Sequence, residues 1–182
     1  MESNMLLETY LKQLRLPAVL QNYRRYADDS ARANLSYERY LLALLEQEVA
    51  QREKNRQQRR IKAARFPALK DLATFDFSAV PHLNKVRVLD LARGEYIVKR
   101  EPILMVGNPG VGKTHIATGL AAAACRQGYK VRFYNAAGLV NDMIQAQDEH
   151  RLTRFLNVTL KHQLIVLDEL GFIPFTPSGA QL

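Results

Sequence analysis

Gly107-Asn108-Pro109-Gly110-Val111-Gly112-Lys113-Thr114 has the residue types and the spacing needed to hold phosphate. The pattern G-x-x-x-x-G-K-[ST] is met at Gly107, Gly112, Lys113 and Thr114. Glycines let the backbone take positive φ and approach an anion with no Cβ in the way. Successive amide N–H groups then line a concave nest, and a helix starting near Gly112 adds its positive N-terminal end. Lys113 can reach the β- and γ-phosphates, and the Thr114 hydroxyl can ligate Mg²⁺. The alternative is a glycine turn with a chance lysine, which the flanking segments disfavour. The apolar run Ile103 to Val106 precedes the loop and the alanine-rich segment Ile116 to Cys125 follows it, giving strand, loop and helix.

A second pair of candidates closes another apolar run. Leu164-Ile165-Val166-Leu167 reads as a buried strand and ends in Asp168-Glu169. A carboxylate there can hold Mg²⁺ through water at the C-terminal edge of a sheet, the role expected of Asp168. Glu169 can orient and polarise an attacking water. A small-molecule kinase has no need of such a residue, because its acceptor hydroxyl comes with the substrate. Alone, the two acids would read as a polar strand end; the phosphate loop gives them a purpose.

The elements that must position these groups follow from periodicity. Leu7, Leu11 and Leu14 mark a short amphipathic helix, and Pro17 ends it or begins the next. Val19, Leu20 and Tyr23 continue to about Tyr26, and Asp28-Asp29-Ser30 reads as a break. Ser36 is a suitable N-cap, with Glu38 in the first turn. Tyr37, Leu41, Leu44, Leu45 and Val49 form an apolar stripe, so Tyr37 and Tyr40 are expected in the core. No proline or glycine interrupts residues 36–65, which predicts one long helix, packed in its first half and basic in its second. Phe66-Pro67 marks a boundary. Residues 66–81 look like a connector tacked down by Leu69, Leu72, Phe75 and Phe77. A helix over Leu83 to Leu91 ends near Gly94, and residues 95–101 lead into a strand at about 102–106. Beyond the loop helix, with Gly128 as C-cap, come a strand at 130–135, helices at about 136–147 and 152–162, and the strand ending in Asp168. This β-α-β-α-α-β order predicts an α/β parallel sheet preceded by a small helical domain. The expected domains are 1–66, a linker with connecting helix over 67–101, and a partial core over 102–182.

Among 182 residues, 47% hydrophobic, the formal net charge is +8. It is uneven: residues 1–100 hold 19 Lys and Arg against 12 Asp and Glu, while residues 101–182 hold 7 against 6. The basic stretch Arg52, Lys54, Arg56, Arg59, Arg60 and Lys62 invites a polyanion reading, since closely spaced cations release counterions from a phosphate backbone. A solvated helix face or an acidic partner is the alternative; the phosphate loop and the charge asymmetry favour DNA. The single Cys125 cannot form an internal disulfide and is expected to pack as a small apolar residue. His82, His115, His150 and His162 lack zinc-site spacing. No apolar run has membrane-spanning length and Met1-Glu2-Ser3-Asn4 begins no secretory signal, so the expectation is a soluble cytoplasmic protein with no membrane partner.

Taken together, these residues resemble the IstB family, helper ATPases of bacterial insertion-sequence transposition related to the helicase loader DnaC and belonging to the AAA+ class. The resemblance covers essentially the whole chain. It rests on Leu14-Arg15-Leu16-Pro17, Leu35-Ser36-Tyr37-Glu38, Leu41 to Leu45 and the arginine tract through Phe66-Pro67. Asp76-Phe77 is similar to the family's linker. Gly112-Lys113-Thr114-His115 with Ala117, and Asp168 to Phe172 followed by Pro174, are similar to its ATPase core. The Walker motifs alone would not single out this family; the N-terminal stretch does. The resemblance implies Mg-ATP bound by residues 107–115, with Lys113 and Thr114 as phosphate and Mg²⁺ ligands, Asp168 as Mg²⁺ partner and Glu169 as catalytic acid. It also implies ATP-dependent self-association on double-stranded DNA and delivery of target DNA to a cognate transposase. Asn108 departs from the family's usual proline, with little effect expected while the loop's glycines are kept.

The chain ends at Gly179-Ala180-Gln181-Leu182, as a helix begins in the sequence pattern. The family continues through a sensor strand, a further strand and an arginine that reaches a neighbour's γ-phosphate. Because the sensor strand lies between the loop strand and the Asp-Glu strand, two outcomes are expected: those strands pair directly, or the sheet stays open. Binding motifs without competent ATP turnover are expected. The competing readings are a helicase-loader ATPase, told apart by its partner; a P-loop kinase, which Glu169 and the basic N-terminal region disfavour; and a non-hydrolysing fragment that binds DNA or caps assemblies of intact subunits.

Overall fold

The computed structural model of the chain describes residues 2–170. The expected features at 171–182, including Phe172, Pro174 and the helix beginning near Gly179, lie outside the described residues. The described chain divides by compactness between Arg56 and Gln57, inside its longest helix.

The N-terminal unit contains α1 (Glu2–Gln13), α2 (Pro17–Arg32) and the first half of α3 (Tyr37–Ala64). Pro17 occupies the first turn of α2, where its missing N–H costs nothing. Leu11, Val19, Tyr23 and Leu44 form the core, with Tyr40 and Tyr26 packed against it. The Tyr40 hydroxyl donates to the Tyr23 carbonyl at 3.2 Å.

Two expectations change here. The break at Asp28-Asp29-Ser30 does not occur, because nothing between Pro17 and Ala33 stops propagation. The helix ends instead at Arg32, and Asn34 just beyond it takes φ +52, a left-handed conformation that asparagine tolerates better than most residues. The apolar stripe of α3 does not lie in the core: Leu44 is buried, but Leu41, Leu45 and Val49 are exposed and Tyr37 is 90% exposed. The face turned inward is Tyr40, Leu44 and Glu48, offset from the stripe. Glu48, 3% exposed, explains the offset. Its Oε2 accepts from the Ala18 and Val19 amides at 2.8 and 3.3 Å, and its Oε1 accepts from Arg52 Nε at 2.8 Å. Leu16 supplies no side-chain cap for α2, so a carboxylate from α3 caps it from a distance.

The second unit begins with the end of α3. Ala64 is fully buried among Ala121, Ala124, Cys125 and Val131, with Ile61 and Phe66 beside it. Small side chains on α6 (Lys113–Arg126) permit that close approach. Burial pushes the Cys125 thiol up to about 11, so it behaves as the apolar residue expected. After Phe66-Pro67 the connector forms two short 3-10 turns, Leu72–Thr74 and Phe77–Ala79, started by the side chains of Asp71 and Asp76. Asn84 then caps α4 (Lys85–Leu91). A short α5 (Glu95–Lys99), read from sequence only as a lead-in, follows Gly94.

The sheet has two strands among the described residues. β1 (Val131–Asn135) and β2 (Leu164–Asp168) pair in parallel, with Val131 opposite Leu164 and Asn135 opposite Asp168. The crossover between them carries α7 (Ala136–Asp148) and α8 (Leu152–Thr159). The strand expected at 102–106 is not formed. Its period of two is present: Ile103 and Met105 pack on the core of Leu72, Val88, Ile116 and Leu120, while Leu104 and Val106 are 81% and 86% exposed. A strand, however, exists by pairing, and no described strand lies beside this segment. Of the two expected outcomes, direct pairing of the loop segment with the Asp-Glu strand does not occur, and the sheet is open among the described residues. β2 is correspondingly not fully buried, since Ile165 and Leu167 are exposed on one face.

Candidate functional site

The loop closes through two glycines in left-handed geometry, Gly110 at φ +81 and Gly112 at φ +88. Gly112 is the N-cap of α6, and its carbonyl accepts the Ile116 amide at 3.0 Å. The amides of Lys113, Thr114 and His115 therefore belong to the first helical turn, where no carbonyl of the helix can reach them. Lys113 Nζ donates to the carbonyls of Gly107 and Asn108 at 2.7 and 2.8 Å. The ammonium thus sits within the loop's own cradle, positioned to exchange those carbonyls for phosphate oxygens.

The register of β1 and β2 brings the acids to this loop. Thr114 Oγ1 donates to Asp168 Oδ2 at 2.8 Å, across 54 residues of sequence. A hydroxyl and a carboxylate oxygen converging from the first turn of α6 and the end of β2 are hard donors. They fit Mg²⁺, which takes one or two protein oxygens together with substrate phosphates. When bound, such an ion would neutralise charge on the phosphates.

Glu169 leaves the strand with φ +62, and its amide donates to Asp168 Oδ1 at 3.1 Å. A non-glycine residue in that region costs of order 1 kcal/mol and is held only where its surroundings demand it. The Glu169 carboxylate is met by Asn135, whose Nδ2 donates to Glu169 Oε2. Asn135 Oδ1 also accepts the Gly138 amide at 3.3 Å, capping α7. Sequence reading passed over Asn135. The available signal was a helix-capping asparagine at the C-terminal end of a strand, the edge where the Asp-Glu pair also ends.

Beside the loop lies a cleft of about 610 Å³, with Val111 and Lys113 on one wall and Leu83, Val88, Ile103 and Met105 among the apolar residues on the others. His115 turns away from the loop. Its Nε2 is 2.9 Å from the Asp71 carbonyl and 3.3 Å from Thr74 Oγ1, so only its backbone amide is available to a phosphate. The carbonyl can only accept, so Nε2 carries the proton.

The basic candidates are not equivalent. Arg52 is committed within its unit, to Glu48 and, at 2.6 Å, to the Arg15 carbonyl. Lys54, Arg56, Arg59 and Lys62 are exposed, with Arg56 facing Glu53 at 3.6 Å. Arg60 is half-buried and its guanidinium lies close to Gly128. No helix among the described residues is long and apolar enough to cross a membrane.

The family profile described as IstB-like ATP binding protein matches residues 9–182. An ATP-binding protein of insertion sequence IS5376 from Geobacillus stearothermophilus is 34% identical over 94% of this chain and 68% of its own length. The corresponding protein of IS232 from Bacillus thuringiensis subsp. berliner is 32% identical over 97% of this chain and 70% of its length. That of IS21 from Pseudomonas aeruginosa is 31% identical over 97% and 66%. This chain thus spans roughly two thirds of the length of these relatives. With a phosphate loop, a converging Thr-Asp pair and a family match across nearly its entire length, the chain belongs to the IstB-like ATP-binding proteins.

Proposed function

We propose that this chain binds Mg-ATP at residues 107–115 and serves as the AAA+ helper ATPase of an insertion-sequence transposition system. The observation that carries the reading is the 2.8 Å hydrogen bond between Thr114 and Asp168, beside a lysine already seated in the loop. Chance glycine turns do not bring a strand-terminal aspartate from 54 residues away onto the following threonine. Lys113 and the first-turn amides of α6 receive the β- and γ-phosphates. Thr114 and Asp168 hold Mg²⁺, and Glu169, reached by Asn135, faces the water. The relatives' names supply the insertion-sequence context. The exposed cations of α3 supply a surface for double-stranded DNA, so that the helper can present target DNA to its transposase and self-associate on it.

A thermal melt with and without Mg-ATP tests the core of this. A ligand at a hundred times its Kd that binds only the folded state adds about 2.7 kcal/mol. The melt is expected to shift upward with ATP, and not in Lys113→Ala. An unchanged melt in the parent chain at saturating ATP would remove the nucleotide reading.

A further inference from the structure

The phosphate loop is braced from behind by a segment that the nucleotide reading leaves unused. Residues 71–77 of the connector run along one face of α6, touching it at Gly112, His115, Gly119 and Arg126. At the far end, the Asp71 carboxylate pairs with Arg126. In the middle, Leu72 lies so close to Gly119 that a Cβ there would stand 2.8 Å from its side chain. At the loop end, a Cβ on Gly112 would stand 2.6 Å from Phe75 Cε2. Gly112 is therefore required twice: for its left-handed φ, and because an aromatic ring rests on its Cα.

That ring is itself fixed. Phe75 packs edge-on to Phe77 at 4.8 Å between centroids and to His115 at 5.2 Å. His115 is tied back to the same segment through the Asp71 carbonyl. The Thr74 hydroxyl donates to that carbonyl at 2.8 Å, so the imidazole meets an ordered turn. The aromatic group, the imidazole and the turn form a closed set of interactions around the residue that ends the phosphate loop and starts α6.

We propose that Phe75 is a positioning residue for the nucleotide, with residues 71–77 acting as a strap that sets the position of Gly112 and hence the aim of the first α6 amides. The inference rests on the Mg-ATP reading of residues 107–115. Its consequence is reciprocal: tension that lifts the strap weakens nucleotide binding, and bound nucleotide holds the strap down by the same factor. The strap belongs to the connector between α3 and α4, so the phosphate loop is coupled to the connector that follows the basic helix.

The test uses the full chain with Phe75→Ala, Phe75→Leu and His115→Ala, at a temperature where melts show each variant folded. Two quantities are read: the Kd for Mg-ATP by calorimetry, and nucleotide-free hydrogen exchange at the Ile116 amide, which bonds to Gly112. Phe75→Ala is expected to weaken ATP about tenfold, a displaced-cradle effect well below a hundredfold. It should also speed exchange at Ile116 while leaving β1 amides unchanged, and Phe75→Leu should recover part of both. ATP affinity within about twofold of the parent, with unchanged Ile116 exchange, would overturn the proposal. If Phe75→Ala does not fold, Phe75→Leu and His115→Ala decide by the same criteria. If the parent chain itself does not bind ATP, the nucleotide reading has failed. Exchange at Ile116 then decides the strap alone: faster exchange upholds it and unchanged exchange removes it.

Discussion

At the scale of single residues, the site depends on which atom each side chain offers. Thr114 contributes a hydroxyl to Asp168, and valine would keep the shape while removing the oxygen. Thr114→Val is expected to weaken ATP binding about tenfold in Mg²⁺ and to change little when Mg²⁺ is chelated, as measured by nucleotide titration in both conditions. Asn135 carries two jobs on one amide: its oxygen caps α7 and its nitrogen holds Glu169. Asn135→Ala should cost about 1 kcal/mol in a urea unfolding experiment through removal of the cap. Asn135→Asp keeps the capping oxygen but sets a second carboxylate against Glu169. A smaller stability loss for Asp than for Ala would show that the cap dominates.

At the scale of elements, α3 has two halves with different duties. In the first, Glu48 joins α3 to the start of α2. Burial tends to raise its carboxyl, but the bonds from Arg52 and from the Ala18 and Val19 amides outweigh that and hold it below the usual carboxylate range. A depressed folded-state value means the stabilisation is present above the unfolded carboxylate range, near pH 4.5, and is lost as pH falls through the lower folded value. Unfolding of the N-terminal unit, followed by tyrosine fluorescence, should therefore become easier below about pH 4.5. Glu48→Ala, which leaves the Ala18 and Val19 amides without their acceptor and takes one of two partners from Arg52, should cost about 2–4 kcal/mol at neutral pH and flatten that acid limb. The second half of α3 carries the exposed cations proposed to meet DNA. Arg59→Gln with Lys62→Gln should weaken DNA binding uniformly across sequences and reduce the salt slope by about 0.9 for each phosphate no longer neutralised. Arg52→Gln should act mainly on stability, because its guanidinium is already committed to Glu48 and Arg15. A salt titration of DNA affinity beside a melt separates the two effects.

At the scale of the whole molecule, strand pairing decides which segments are held. β1 and β2 satisfy one another, while residues 103–106 keep a strand's alternation without a strand's partner among the described residues. Amide exchange should thus be slow within the β1–β2 ladder and fast at Leu104 and Val106. Slow exchange at 103–106 would show that the segment is paired in solution.

What the sequence determined by itself is what short-range spacing can encode. The loop from Gly107 to Thr114, the helix after it, the uninterrupted length of α3 and the strand ending in Asp168 all follow from local φ preferences and local periodicity. What only the tertiary structure decided is which surfaces meet. Tyr37, Leu41, Leu45 and Val49 have the right period for a core stripe, yet Glu48 turns a neighbouring face inward, because a buried carboxylate must find donors and those belong to α2. Ile103 to Val106 has the composition of a strand but no described neighbour to pair with. Asn135 meets Glu169, and Phe75 meets Gly112, only because the β1–β2 register and the path of the connector along α6 bring them together. Meetings between residues so far apart in sequence depend on partners that local spacing does not specify, and the sheet pairing and the bracing of the loop were therefore settled by the fold.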